Sequence, residues 1–125
     1  MSTILDRMAG IVGAKNIVTD ADAMVPYLKE WRDLFRGKAQ GIVRPGSTAE
    51  VAELVKLAAE TGTTLVPQGG NTGLVGGQIP IADGREVILS LQRLDRVRAV
   101  DADGDTMIVE AGVTLKRAQD AAEAA

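Results

Sequence analysis

Apolar residues recur along this chain at two spacings, and the switches between them mark its elements. Ile4, Leu5, Met8, Ile11 and Val12 stand at helical intervals over residues 2–13, with Ser2 or Thr3 as cap and Gly10 and Gly13 weakening the element. Ala23, Met24, Tyr27, Leu28 and Trp31 repeat that spacing after the cap candidates Thr19 and Asp20, which predicts a second helix; Pro26 must fall in its first turns or kink it. The third helix is the clearest. Ser47-Thr48-Ala49-Glu50 reads as a capping box, Val51, Leu54, Val55 and Ala58 follow at i, i+3, i+4 and i+7, and Thr61-Gly62 ends it. A fourth runs from Thr114 through Leu115, Ala118, Ala121, Ala122 and Ala125.

Short apolar runs supply the strands. These are Ile42-Val43-Arg44, stopped by Pro45-Gly46; Thr64-Leu65-Val66-Pro67; Glu86 to Leu91; and Val97 to Asp101 with Thr106 to Ala111, joined by a turn at Ala102-Asp103-Gly104-Asp105. Strand, helix and strand over 42–67 predict a βαβ unit with parallel strands, and the later strands predict a β-meander. The expected fold class is therefore α+β, a small mixed sheet with flanking helices. A loop at 36–41 divides a helical arm, residues 1–37, from a main unit, residues 38–125. Tyr27, Trp31 and Phe35 read as packing that arm onto the main body, with ligand contact as the alternative. The final helix lacks a C-cap glycine and a basic last turn, and its face is nearly all alanine. That predicts an incomplete domain whose open apolar face favours self-association.

Between the second strand and Ile79-Pro80-Ile81 lies Gln68-Gly69-Gly70-Asn71-Thr72-Gly73-Leu74-Val75-Gly76-Gly77-Gln78, with five glycines in positions 69–77. Such density costs backbone entropy and removes the side chains that keep other groups off the main chain. A phosphate or pyrophosphate fits, because successive N–H groups of a glycine-rich turn can converge on an anion. No Lys or Arg occurs from 66 to 84, so main-chain amides with Asn71, Thr72 and Gln78 would have to hold it. The loop has neither the Lys-Ser/Thr ending of a P-loop nor a helix opening directly after its glycines. A tight turn or close-packed crossing is the alternative. The loop leaves the carboxyl end of a parallel strand, where open α/β sheets place ligands.

Composition narrows the functions. With 125 residues the chain makes one modest domain, while 2% aromatics and a net charge of −3 argue against nucleic acid. The absence of Cys and His removes thiolate and imidazole chemistry. Residues 1–7 do not read as a secretory signal and no apolar run reaches membrane-spanning length, so the expectation is a soluble cytoplasmic protein. Arg44, Arg85, Arg93, Arg96 and Arg98 read as solvated or ion-paired surface. Asp101, Asp103 and Asp105 read as a turn rather than a calcium loop, since Gly112 stands where the twelfth-position glutamate would be.

Four segments in order carry a resemblance: Val43-Arg44-Pro45 with Ser47 to Val51; Pro67 to Gly77; Val87 to Leu91 with Leu94 to Val97; and Val109-Glu110-Ala111-Gly112-Val113. Together they resemble the N-terminal half of the FAD-binding domain in the vanillyl-alcohol oxidase/p-cresol methylhydroxylase superfamily. The glycine loop looks most like the branch of FAD-dependent D-2-hydroxyglutarate, D-lactate and glycolate dehydrogenases, and residues 31–37 are similar to that branch's lead-in. The resemblance implies that Gly69, Gly70, Asn71, Thr72 and Gly73 surround the FAD pyrophosphate. Pro67 and Gln68 lead into that contact, and Leu74, Gly76, Gly77 and Gln78 run on toward the flavin. Ser90 and Leu91 would line the cofactor after the next strand, and Gly112 would let the isoalloxazine approach; a satisfied strand hydroxyl and a plain turn are the respective alternatives. The implied activity is oxidation of a D-2-hydroxy acid by hydride transfer to FAD, with substrate held by a C-terminal domain outside this chain, so no catalytic or metal-binding residue is assigned here. A stand-alone nucleotide- or phosphate-binding module, or a fragment without catalysis, is the alternative.

Overall fold

The computed structural model describes residues 3–125, so the cap candidate Ser2 lies outside the described residues. Helix α1 spans Ile4–Val12; Thr3 caps it, its hydroxyl accepting from Asp6 N while the Asp6 carboxylate accepts from Thr3 N, a reciprocal pair. The segment continues through a single 3-10 turn into strand β1, Ile17–Val18. Helix α2 is only Ala21–Met24 and passes into a 3-10 turn at Val25–Tyr27. The helix expected to reach Trp31 therefore stops early. Pro26 cannot donate to a preceding turn and its ring crowds the carbonyl behind it. Trp31 consequently lies in an irregular turn with 72% of its surface exposed, not packed onto the body, whereas Tyr27 is half-buried against the core.

Strand β2 (Gly41–Val43) leads to helix α3 (Thr48–Thr61), β3 (Leu65–Gln68) and, beyond the glycine loop, β4 (Val87–Ser90). Ser47 and Gly62 cap α3 as the sequence predicts, Ser47 accepting from Glu50 N and Gly62 adopting a left-handed φ of 67°. The four strands form one sheet in the order β1-β2-β4-β3, with β1 antiparallel and the others parallel. The βαβ unit is thus present in direction, but β4 inserts between its two strands. The physical reason is burial: all four residues of β4 are buried, and an apolar run with no solvated face belongs in the centre of a parallel sheet.

Alternation along the strands divides the core between the two faces. Val43, Val87 and Leu89 meet Met8 and Val12 of α1 and Leu54 and Leu57 of α3 on one face. Ile42 and Ile88 meet Met24, with Tyr27 and Leu28, on the other. The arm expected over residues 1–37 is therefore built into the same core as the rest. Strands β5 (Val97–Asp101) and β6 (Thr106–Val109) form a separate, largely exposed ribbon rather than a meander continuous with β4. Thr114 caps helix α4 (Leu115–Ala124) by accepting from Arg117 N. No helix among the described residues is long and apolar enough to cross a membrane.

The surface arginines divide as well. Arg85 pairs with Asp83, and Arg96 and Arg98 with Glu110. Arg93 instead donates to Arg44 O at 2.6 Å, and Arg44 Nε is buried with no partner among the described residues, where neither arginine is ion-paired.

Leu54 is fully buried and its neighbour Val55 is 49% exposed on the same helix. Leu54→Ala should lower the unfolding free energy by about 2–5 kcal/mol. Val55→Ala should change it by less than about 1 kcal/mol in the same urea titration, because little apolar area is lost there.

Candidate functional site

Parallel β3 and β4 end together, with Gln68 opposite Ser90, and their carboxyl ends set the floor of the site. The glycine loop leaves one strand and Leu91-Gln92 the other, and Leu91 N donates back to Gln68 O at 2.9 Å. Strand parity puts Gln68 and Ser90 on the Ile88 face, toward residues 24–28. Gln68 is buried there and donates from Nε2 to Tyr27 O at 2.9 Å and Gln78 O at 3.0 Å.

The loop is held by its side chains and its carbonyls. Asn71, at a left-handed φ of 56°, donates from Nδ2 to Pro26 O (3.0 Å) and Lys29 O (2.7 Å). Gln78 Nε2 donates to Asn71 Oδ1 at 3.1 Å and to Gly73 O at 2.9 Å. Arg32 Nη2 donates to Leu74 O at 2.7 Å. By contrast, no main-chain N–H from Gly69 through Gln78 donates to any group among the described residues. This revises the sequence reading of Asn71 and Gln78: their side-chain amides tie the loop down, and the donors left for a ligand are main-chain N–H groups and the Thr72 hydroxyl.

The glycines serve two different purposes. A Cβ on Gly69, Gly70 or Gly77 would meet nothing closer than 3.9 Å, so these positions leave open space over the backbone. A Cβ on Gly76, at φ +78°, would strike the Phe35 ring at 2.7 Å, and one on Gly73 would come within 2.8 Å of Gln78 Oε1. Gly112 must be glycine for the fold itself, since a Cβ there would stand 1.8 Å from Leu91 O. Gly112 N also donates to Leu94 O at 2.7 Å, which docks the end of the β5–β6 ribbon beside Gly69 and Gly70. Ser90 is fully buried, its hydroxyl accepting from Gln92 N at 3.5 Å; Leu91 is half-buried against the core, and Pro67 is exposed.

Two clefts flank Gly70 and share it with Gln92. One, of about 440 Å³, is lined by Tyr27, Lys29, Trp31, Gln68 and Asn71; the other, of about 290 Å³, by Gly69, Asp95, Gly112, Thr114 and Arg117. Tyr27 Oη donates to Gln92 Oε1 at 3.0 Å. Gln92 and Thr114 line these clefts without having been marked as ligand residues by the sequence; the 26–32 segment had two signals, the ligand-contact alternative for Tyr27 and Trp31 and the similarity of residues 31–37 to a flavoprotein lead-in.

Two carboxylates near the site are buried. At Glu30, 1% exposed, burial opposes ionisation, yet the amides of Arg32, Leu34 and Phe35 and the Arg32 charge outweigh it and hold the carboxyl below its ordinary value. At Glu110 the hydrogen bond from Arg98 leads, burial opposes it, and the amide and guanidinium of Arg96 add to the lowering.

Open glycine backbone and unpaired amides at the carboxyl edge of a parallel sheet define a cradle for a bulky anion. The chain belongs to the FAD binding domain family, whose model matches residues 39–125, and FAD is its cofactor. It is 37% identical over 106 residues to a probable mitochondrial D-2-hydroxyglutarate dehydrogenase of Oryza sativa subsp. indica, covering 85% of this chain and 19% of that protein. A putative mitochondrial D-lactate dehydrogenase of Schizosaccharomyces pombe is 30% identical over 116 residues, 93% of this chain and 22% of that one. The chain thus spans about a fifth of the length of these curated relatives. In fold it is similar to p-cresol methylhydroxylase with substrate bound, at a TM-score of 0.81 and 23% identity over 97% of this chain and 24% of that one. The resemblance to the vanillyl-alcohol oxidase/p-cresol methylhydroxylase flavoproteins is borne out. The expected cytoplasmic residence finds no support among these relatives, whose names place them in mitochondria.

The lowered carboxyls set an acid limit on the fold. A group whose folded pKa is depressed contributes stability above its unfolded pKa and loses it as pH falls through the folded value. Thermal midpoints should hold down to about pH 5 and fall below the ordinary glutamate value of 4.5. Glu30→Gln should start from a lower midpoint at neutral pH and fall less steeply; an unchanged acid slope would contradict the assignment.

Proposed function

We propose that this chain is the cofactor-holding segment of an FAD-dependent dehydrogenase that oxidises a D-2-hydroxy acid of the hydroxyglutarate, lactate or glycolate class. The observation that carries the reading is the row of main-chain N–H groups from Gly69 to Gln78 left without an acceptor among the described residues, in a loop tied down by Asn71, Gln78 and Arg32. Pyrophosphate oxygens are the complementary acceptors, and backbone donors can reach them where Gly69 and Gly70 present no side chain.

FAD, when bound, supplies the hydride acceptor. The chain's own part would be to bind and orient it: the glycine loop would meet the pyrophosphate, and the two clefts that share Gly70 and Gln92 would hold the groups on either side of it. The 2-hydroxy acid class is supported by the names of the relatives, and the groups that recognise the acid and remove its hydroxyl proton belong to a further part of the enzyme.

Titration with FAD, followed by flavin fluorescence quenching and anisotropy with FMN and NAD as controls, tests the reading. Saturable, FAD-selective binding is expected. Gly70→Val should weaken it at least tenfold, by the order expected for losing one well-placed charge-assisted contact of about 1.4 kcal/mol or more. Its unfolding midpoint should stay put, because the new Cβ meets only the Thr114 and Thr72 methyls at 3.9 and 4.0 Å. Gly112→Ala should instead cost at least about 1–3 kcal/mol of stability through overpacking against Leu91 O. Equal affinity for all three nucleotides, or undiminished binding by Gly70→Val, would sink the proposal in favour of a general phosphate-binding module.

A further inference from the structure

We propose that Glu30 is a positioning residue for the cofactor loop, holding it through Arg32 and Phe35. This rests on the reading of residues 69–78 as the pyrophosphate cradle. The Glu30 carboxylate is enclosed by its own turn: Oε2 accepts from Arg32 N at 2.9 Å, and Oε1 from Leu34 N and from Phe35 N at 3.2 Å. Arg32 Nε lies 3.7 Å from Oε2 while its Nη2 donates to Leu74 O, so one guanidinium joins the buried anion to the glycine loop. From the same turn the Phe35 ring lies over Gly76, closing the space a Cβ would take. Asp33 adopts a φ of 58° within it, a conformation that three amides converging on one carboxylate can sustain.

The geometry explains why a charged side chain is buried where no charge is needed for the core. A neutral amide at position 30 would offer one acceptor oxygen and turn an NH2 group toward N–H donors, so the turn would open. Arg32 would then lose its anchor and release Leu74 O, and Phe35 would withdraw from Gly76. The placement of the loop amides, and with it cofactor affinity, would relax while the sheet stayed intact.

The test is a double-mutant cycle on FAD affinity with Glu30→Gln, Arg32→Met and both together, and Met8→Ala, in the core under α1, as a stability control. Arg32→Met should weaken FAD about tenfold, Glu30→Gln at least as much, and the pair should be no worse than Glu30→Gln alone, because losing the Glu30 carboxylate already releases Arg32. Met8→Ala should leave the affinity of the folded protein unchanged. Additive losses, or full affinity in Glu30→Gln or Arg32→Met, would overturn the proposal; should Glu30→Gln fail to fold, Arg32→Met alone decides, since Arg32 sits at the surface. In the ligand-free protein, NMR resonances of the Gly69–Gln78 amides and the anisotropy of Trp31, the sole tryptophan, should change in both loop variants. That readout separates the two readings: absence of FAD binding by the unaltered protein would defeat the cofactor assignment, whereas unmoved loop amides would defeat the role of Glu30.

Discussion

A loop can present successive N–H groups outward only if its carbonyls and its shape are held from the other side. In this chain Gln68, Asn71 and Gln78 do that holding with side-chain amides, which donate to carbonyls of Tyr27, Pro26, Lys29, Gly73 and Gln78. The donors they leave unpaired belong to the main chain. An amide row of this kind needs no lysine or arginine in the loop to accept an anion, and a loop already tied down by its own contacts has less ordering entropy left to lose on binding.

That arrangement depends on where the strands end. Because β4 lies between β2 and β3, the exit of β4 runs beside the glycine loop, and the Leu91–Gln68 hydrogen bond joins the two. Leu91 O then meets Gly112 so closely that no other residue fits, which brings Thr114 and Arg117 to the cleft on the far side of Gly70. Core packing and cradle are therefore one construction: the burial that centres β4 also brings three separate loops to one edge of the sheet.

An acidic protein of net charge −3 that holds an anionic cofactor must keep its carboxylates from repelling it. The two best-buried glutamates are compensated locally, Glu30 by three amides and Arg32, Glu110 by Arg96 and Arg98. Exposed pairs such as Lys116–Asp120 add little to stability. Lys29 lines the cleft beside the loop and Arg32 donates to Leu74 O, so two cations stand at the loop's margin.

Sequence alone determined what rests on short-range chemistry. The caps at Thr3, Ser47 and Thr114, the stop at Gly62, the β5–β6 hairpin and the glycine loop at the end of a parallel strand were all legible, because each depends on residues within a few positions of one another. Order and motif together were enough to point to the flavoprotein family. The tertiary structure decided the rest. Strand β1 has two residues, too few to show a period, and it exists because β2 offers it an edge. The place of β4 between β2 and β3 followed from burial on both faces, a property of the whole sheet. Asn71 and Gln78 looked like ligand donors in sequence; their partners stand up to 45 residues away or across the loop, and those contacts form only when Pro26 and Lys29 are folded against it. Local signals choose elements, but which polar groups remain free for a ligand is settled only after all the others have found partners.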